Sequence, residues 1–207
     1  MANSPCSGQN GSGQNGSDQK GSGQNREAML KAETAAVEVY RFAALMLGNE
    51  AEALSLVENT VASVDIDPCN DPSAATGLVR DRVLDGALAI MHRHDPRSFA
   101  DIPPTDSPGS CIEDDSTVPL SGSEISDLVA GAGRGPLREW LARLSEVQRA
   151  VFVQRAVLRI SNADTARALN RHSKPSIWTT EAVSALFRQA LCSLASSLIH
   201  AVPAVQV

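Results

Sequence analysis

The sequence predicts an all-α protein made of two small helical domains joined by a flexible linker, the second of them containing a helix-turn-helix. Three observations carry this expectation. Apolar residues recur at three- and four-residue spacings on both sides of residues 95–134, the period of a helix with one buried face. Capping residues stand immediately before several of these stripes. Between the stripes lies a segment with Pro96, Pro103, Pro104, Pro108, Pro119 and the acidic run Glu113, Asp114, Asp115, which describes a linker.

Residues 1–25 are mostly an imperfect Gly-Ser-Gly-Gln-Asn repeat that, beyond Met1, Ala2, Pro5 and Cys6, has no apolar side chains to bury, and a flexible tail is expected. The N-terminal domain is expected over 26–94. Its first helix runs from Arg26 to Gly48 with Val37, Tyr40, Phe42, Leu45 and Leu47, and Gly48 and Asn49 form the stop. A second follows from about Glu50 to Val64, with Ala53, Leu54, Val57 and Val61 on one face. The third spans about Ser73 to His92, with Leu78, Val79, Val83, Leu84, Leu88 and Met91 as its stripe. Within the linker, 95–134, a short helix fits Ser123 to Ala130.

The C-terminal domain is expected over 135–201, as four helices. Leu137, Trp140, Leu141 and Leu144 give an i, i+3, i+4, i+7 stripe after Pro136, and Ser145 with Gln148 forms a capping box for the next helix. Ser161 and Asp164 suggest another capping box, the acid reaching back to the cap, so that a helix starts near Asn162 and lays Ala163, Ala166 and Leu169 on a partner. Pro175 breaks it. Thr179 caps the last helix and Trp178 packs on Val183 as a staple; Val183, Leu186, Phe187, Ala190, Leu191, Leu194 and Leu198 form its stripe. Thr180, Glu181, Ser184 and Arg188 then point outward, where a DNA-reading helix presents its base contacts. An ordinary helical hairpin with a solvated polar face fits this stretch equally well.

Charge distribution separates the two readings. The chain carries −6 overall, but residues 1–133 hold 8 Lys and Arg against 20 Asp and Glu, net −12, and residues 134–207 hold 10 against 4, net +6. A basic C-terminal module favours phosphate as its partner. Cys6, Cys69, Cys111 and Cys192 form no CxxC or Cys/His cluster, and free thiols in a cytoplasmic protein are expected. No apolar run approaches a membrane span, so no membrane partner is expected. His92 and His94 stand two apart, on opposite sides of a helix, and do not share a metal. No nucleophile, P-loop or dinucleotide motif is present; neither catalytic residues nor a cofactor is expected.

The stretch LREWLARLSEVQRAVFVQRAVLRISNADTARALN, followed by TEAVSALFRQALCSL, resembles the promoter-reading domain of the sigma-70 family of bacterial RNA polymerase subunits, in particular its small extracytoplasmic-function members. Leu141, Leu144, Gln148, Arg149, Val151, Phe152, Arg155, Ala166, Leu169, Val183, Phe187, Arg188, Ala190 and Leu191 carry the likeness. VYRFAALMLGNEAEALSLVENTVASV looks like the start of the family's polymerase-binding domain. The resemblance implies a transcription initiation factor whose partners are core RNA polymerase, promoter double-stranded DNA and an anti-sigma protein. It implies phosphate contacts from Arg167, Arg171 and Lys174, base contacts from Thr180, Glu181, Ser184 and Arg188, and polymerase contacts from Ser55, Leu56, Glu58 and Asn59. The chain departs from the family in having no Phe, Tyr or Trp between Phe42 and Phe99, where rings capture unstacked bases, and Arg188 is the sole cation on its outward helix face. These departures favour an alternative, a degenerate sigma-like adaptor or decoy that binds protein without melting promoters.

Overall fold

The computed structural model describes residues 18–64, 72–102, 111, 134–173 and 177–201, and all regular structure among them is helical. Eight helices follow in order: α1 Asp18–Leu47, α2 Glu50–Ser63, α3 Pro72–His94, α4 Pro96–Ala100, α5 Arg134–Arg143, α6 Glu146–Phe152, α7 Asn162–His172 and α8 Thr180–Ala201. A π-helical turn, Val153–Val157, continues α6. The expected helix over 123–130 and most of the expected linker lie outside the described residues.

The stops and starts follow their residue chemistry. Gly48 has φ +67°, a left-handed value that glycine adopts without a Cβ penalty, and its N–H closes α1 on the Ala44 carbonyl at 3.0 Å. Asn49 next to it caps α2, its side-chain oxygen accepting from the N–H groups of Ala51 and Glu52. Ser145 and Gln148 make the full reciprocal capping box at α6. At α7 the box is only half formed. Ser161 Oγ accepts from the Asp164 N–H at 3.1 Å, but the Asp164 carboxylate takes the serine hydroxyl at 2.6 Å and pairs with Arg167 instead of reaching the cap backbone.

Four expectations need correction. Helix α1 begins at Asp18, inside the repeat expected to be a flexible tail to residue 25; once a helix is nucleated downstream, each added residue gains a hydrogen bond even where propensity is poor. Residues 95–102 are not linker. Asp95 caps α4 and Phe99 is wholly buried, meeting His92 edge-on at 5.4 Å. On α2, Leu54 and Val61 are exposed although they share the apolar spacing of Ala53 and Val57, which are buried. Cys111 and Cys192 are joined in a disulfide rather than free, a pairing 81 residues apart that no local spacing reveals.

The two helical groups also share one core instead of closing two separate ones. α1, α2 and α3 pack on one another, α8 packs on α6 and α7, and α3 packs in turn on α6 and α7. Phe42, Met46, Leu88 and Met91 from the first group join Phe152, Val153, Leu169 and Phe187 from the second in a single buried cluster. Aromatic contacts are concentrated in the C-terminal group: Trp140 stands edge-on to Phe152 at 4.8 Å, and its indole N–H donates to Ser193 Oγ at 3.1 Å. No helix among the described residues is long and apolar enough to cross a membrane.

Candidate nucleic-acid interface

The α7–α8 pair is built by burial on one side and by a clamp at its connection. Thr165, Ala166, Ala168 and Leu169 form the inner face of α7; Ala163, expected there, is exposed, because the buried stripe lies one position further round. The expected α8 stripe is buried from Val183 to Leu194, with Ala182 and Ala185 added. Thr179 caps α8, its hydroxyl accepting from the Ala182 N–H at 3.2 Å.

Trp178 fixes the turn through hydrogen bonds on both its backbone and its ring. Asn170 on α7 accepts from the Trp178 N–H at 2.9 Å and donates to the Trp178 carbonyl at 2.8 Å, so one side chain satisfies both backbone groups of one residue. The indole is 3% exposed and donates to the Phe99 carbonyl at 3.1 Å and to Ser173 Oγ at 3.2 Å. The connection is thereby tied to the end of α4 as well as to α7.

The expected contact residues fall in three different situations. Thr180 and Glu181 are exposed at the start of α8, with Ser184 and Arg188 half-buried one and two turns on. Glu181 is held below the ordinary carboxylate range by its own backbone N–H and by the Thr179 and Thr180 hydroxyls, so the outward face carries a firm negative charge. Arg167 and Arg171 are exposed but engaged, Arg167 with Asp164 and Arg171 with Asp85 on α3. Lys174 lies outside the described residues. On α2, Ser55, Glu58 and Asn59 are exposed, and Asn59 donates to Ser55 Oγ at 3.3 Å. Leu56 is half-buried and packs where Gly86 leaves room: a Cβ there would stand 2.7 Å from Leu56 Cδ1.

Sequence reasoning missed Asp85. Arg171 Nε and His172 Nε2 both donate to its Oδ1 at 3.0 Å, bridging the N-terminal and C-terminal helices. Burial raises the Asp85 pKa, but the hydrogen bonds and charges of His172 and Arg171 outweigh it, and the pKa lies below its ordinary 3.8. A lowered carboxylate pKa adds stability above the unfolded-state value, and that gain is lost as pH falls through the folded-state value. Asp85 is 47% exposed, so solvent screening limits the gain to about 1 kcal/mol or less. Urea unfolding of the wild type and Asp85→Asn should therefore differ at about pH 7, and the difference should shrink as pH falls below the ordinary 3.8. An unchanged difference at the lower pH would remove the bridge from the stability account.

No group of three or more His, Cys, Asp or Glu side chains that could hold a metal occurs among the described residues. No protein-family model, curated protein or solved structure matches the chain.

Proposed function

We propose that this chain is a sigma-like transcription initiation factor that binds core RNA polymerase through the exposed side of α2 and directs it to promoter DNA through α7 and α8 as a helix-turn-helix. The observation that carries the reading is the clamped α7–α8 unit, in which Asn170 and Trp178 hold the turn while Thr180 and Glu181 stand exposed at the start of α8 with Ser184 and Arg188 half-buried behind them. The C-terminal excess of cations supports it as well.

A second reading has its own support. Arg167 and Arg171 are spent on acids of this chain, Glu181 adds a negative charge to the outward face, and Leu54 and Val61 leave apolar surface on α2 beside Ser55, Glu58 and Asn59. Those features suit an adaptor or decoy that docks on a protein without reading promoters. The test is retention of core RNA polymerase by the tagged full-length chain, followed by transcription on genomic fragments. The initiation-factor reading expects retention and discrete transcripts. Retention without transcripts selects the adaptor, and failure to retain polymerase rejects both.

A further inference from the structure

A groove of about 1050 Å³ runs between α3 and the segment that leads from the π turn into α7. Five arginines line it: Arg80 and Arg82 from α3, Arg159 from the connection, and Arg167 and Arg171 from α7. The acids present do not neutralise them. Asp85 and Asp164 engage Arg171 and Arg167, and Asp81 is the third, leaving five cations against three anions in a chain whose overall charge is −6. Arg80, Arg82 and Arg159 make no ion pair among the described residues. Arg80 instead donates to the Leu158 carbonyl at 3.1 Å, which ties the two walls of the groove together.

Arg159 is the informative member. Its φ is +55°, the one positive value among the described non-glycine residues, where glycine or asparagine would be the less strained choice. An exposed arginine held in that conformation at the mouth of an arginine-lined groove points to use of its side chain. Guanidinium groups fit phosphate oxygens in a bidentate fork. The groove has the volume of a large small-molecule site but is open, and no aromatic ring lines it for a nucleobase to stack on. Spaced guanidiniums without a base pocket suit a run of phosphates.

We propose that this groove binds the phosphodiester backbone of duplex DNA, so that cations of both helical groups grip the strand that α7 approaches. The choice of duplex rests on the promoter-reading proposal; the phosphate site does not. The experiment is a salt titration of the full-length chain on a short fluorescent random duplex, followed by anisotropy. Arg82→Ala with Arg159→Gly removes two cations, and the glycine relieves the left-handed backbone. Should that pair unfold, Arg82→Gln with Arg159→Asn makes the same test. Losing two phosphate contacts lowers the slope of log affinity against log salt by about 1.8. An unchanged slope overturns the groove while duplex binding, and with it the α8 reading, survives. Thr180→Asp with Ser184→Asp provides the converse: weakened binding only in that variant assigns the duplex to α8 alone and overturns the groove, and weakened binding only in the arginine variant keeps the groove and removes α8. Displacement of the duplex by tripolyphosphate at equal phosphate concentration overturns DNA as the occupant, as does absence of duplex binding at low salt.

Discussion

Trp178→Ala is expected to lower the unfolding free energy by about 3–5 kcal/mol, measured by urea denaturation, because a large buried ring leaves a cavity that its neighbours only partly fill. The indole is 3% exposed and sits where three elements meet: the end of α4, the end of α7 and the start of α8. Its loss also strands the Phe99 carbonyl, which would keep only the 3.3 Å hydrogen bond from Ser173 Oγ. Trp178→Phe separates the two causes. It keeps most of the apolar volume but removes the N–H donor, and should cost about 1–3 kcal/mol, the price of a buried acceptor left short of a partner. A Trp178→Ala loss below about 1 kcal/mol would mean that the turn is held by Asn170 alone.

The clamp shows where sequence reading stops. Local signals were legible because each is a contract between residues close in sequence: Gly48 and Asn49, the Ser145–Gln148 box, the Thr179 cap and the α8 stripe as far as Leu194 came out at the expected positions. Trp178 was legible as a packed residue but not as a donor to Phe99, 79 residues away. The same distance hid the Cys111–Cys192 disulfide and the Asp85 bridge to Arg171 and His172. Periodicity identifies a helix face but not which part of that face finds a partner. Hence Leu54 and Val61 stand exposed on a stripe whose other members are buried, and the buried side of α7 is centred on Thr165 and Leu169 instead of Ala163.

The linker composition likewise predicted separation in sequence, and the packing joins the two groups nonetheless. Proline and acid content reports how a segment behaves locally, whereas the apolar area left on α1 and α3 decides whether another body docks there. Phe99 illustrates the difference. It lies in a segment expected to be linker, yet it is fully buried between the two groups because α4 turns it back into the core. The candidate site divides in the same way: the outward positions of α8 follow from the stripe, but the engagement of Arg167 and Arg171 depends on which acids the fold brings alongside.

Arg149→Ala should be as damaging as the loss of Trp178, about 3–5 kcal/mol by the same measurement, since it breaks a buried charge pair from one side. By pattern Arg149 follows the capping box at the start of α6 and resembles a surface cation, but its side chain is 7% exposed. Its Nε donates to the Met46 carbonyl at 2.6 Å, one of the last carbonyls of α1, which the helix itself leaves without a partner. Its Nη2 donates to Glu146 Oε2 at 2.6 Å. A cation at a helix C-terminus also meets the negative end of the backbone dipole. One guanidinium therefore joins the end of α1 to the start of α6. Truncation leaves the Met46 carbonyl unpaired and the Glu146 carboxylate, on a side chain 20% exposed, without its cation. Glu146→Gln alone should cost less, because the amide oxygen can still accept from Arg149 Nη2 and the bond from Nε to the Met46 carbonyl is untouched. In a double-mutant cycle the pair should therefore show a coupling of about 0.5–3 kcal/mol, with the remaining Arg149 loss assigned to the α1 carbonyl. Were both single losses equal and fully coupled, the ion pair alone would matter, and the join between the two helical groups would rest on their shared apolar core.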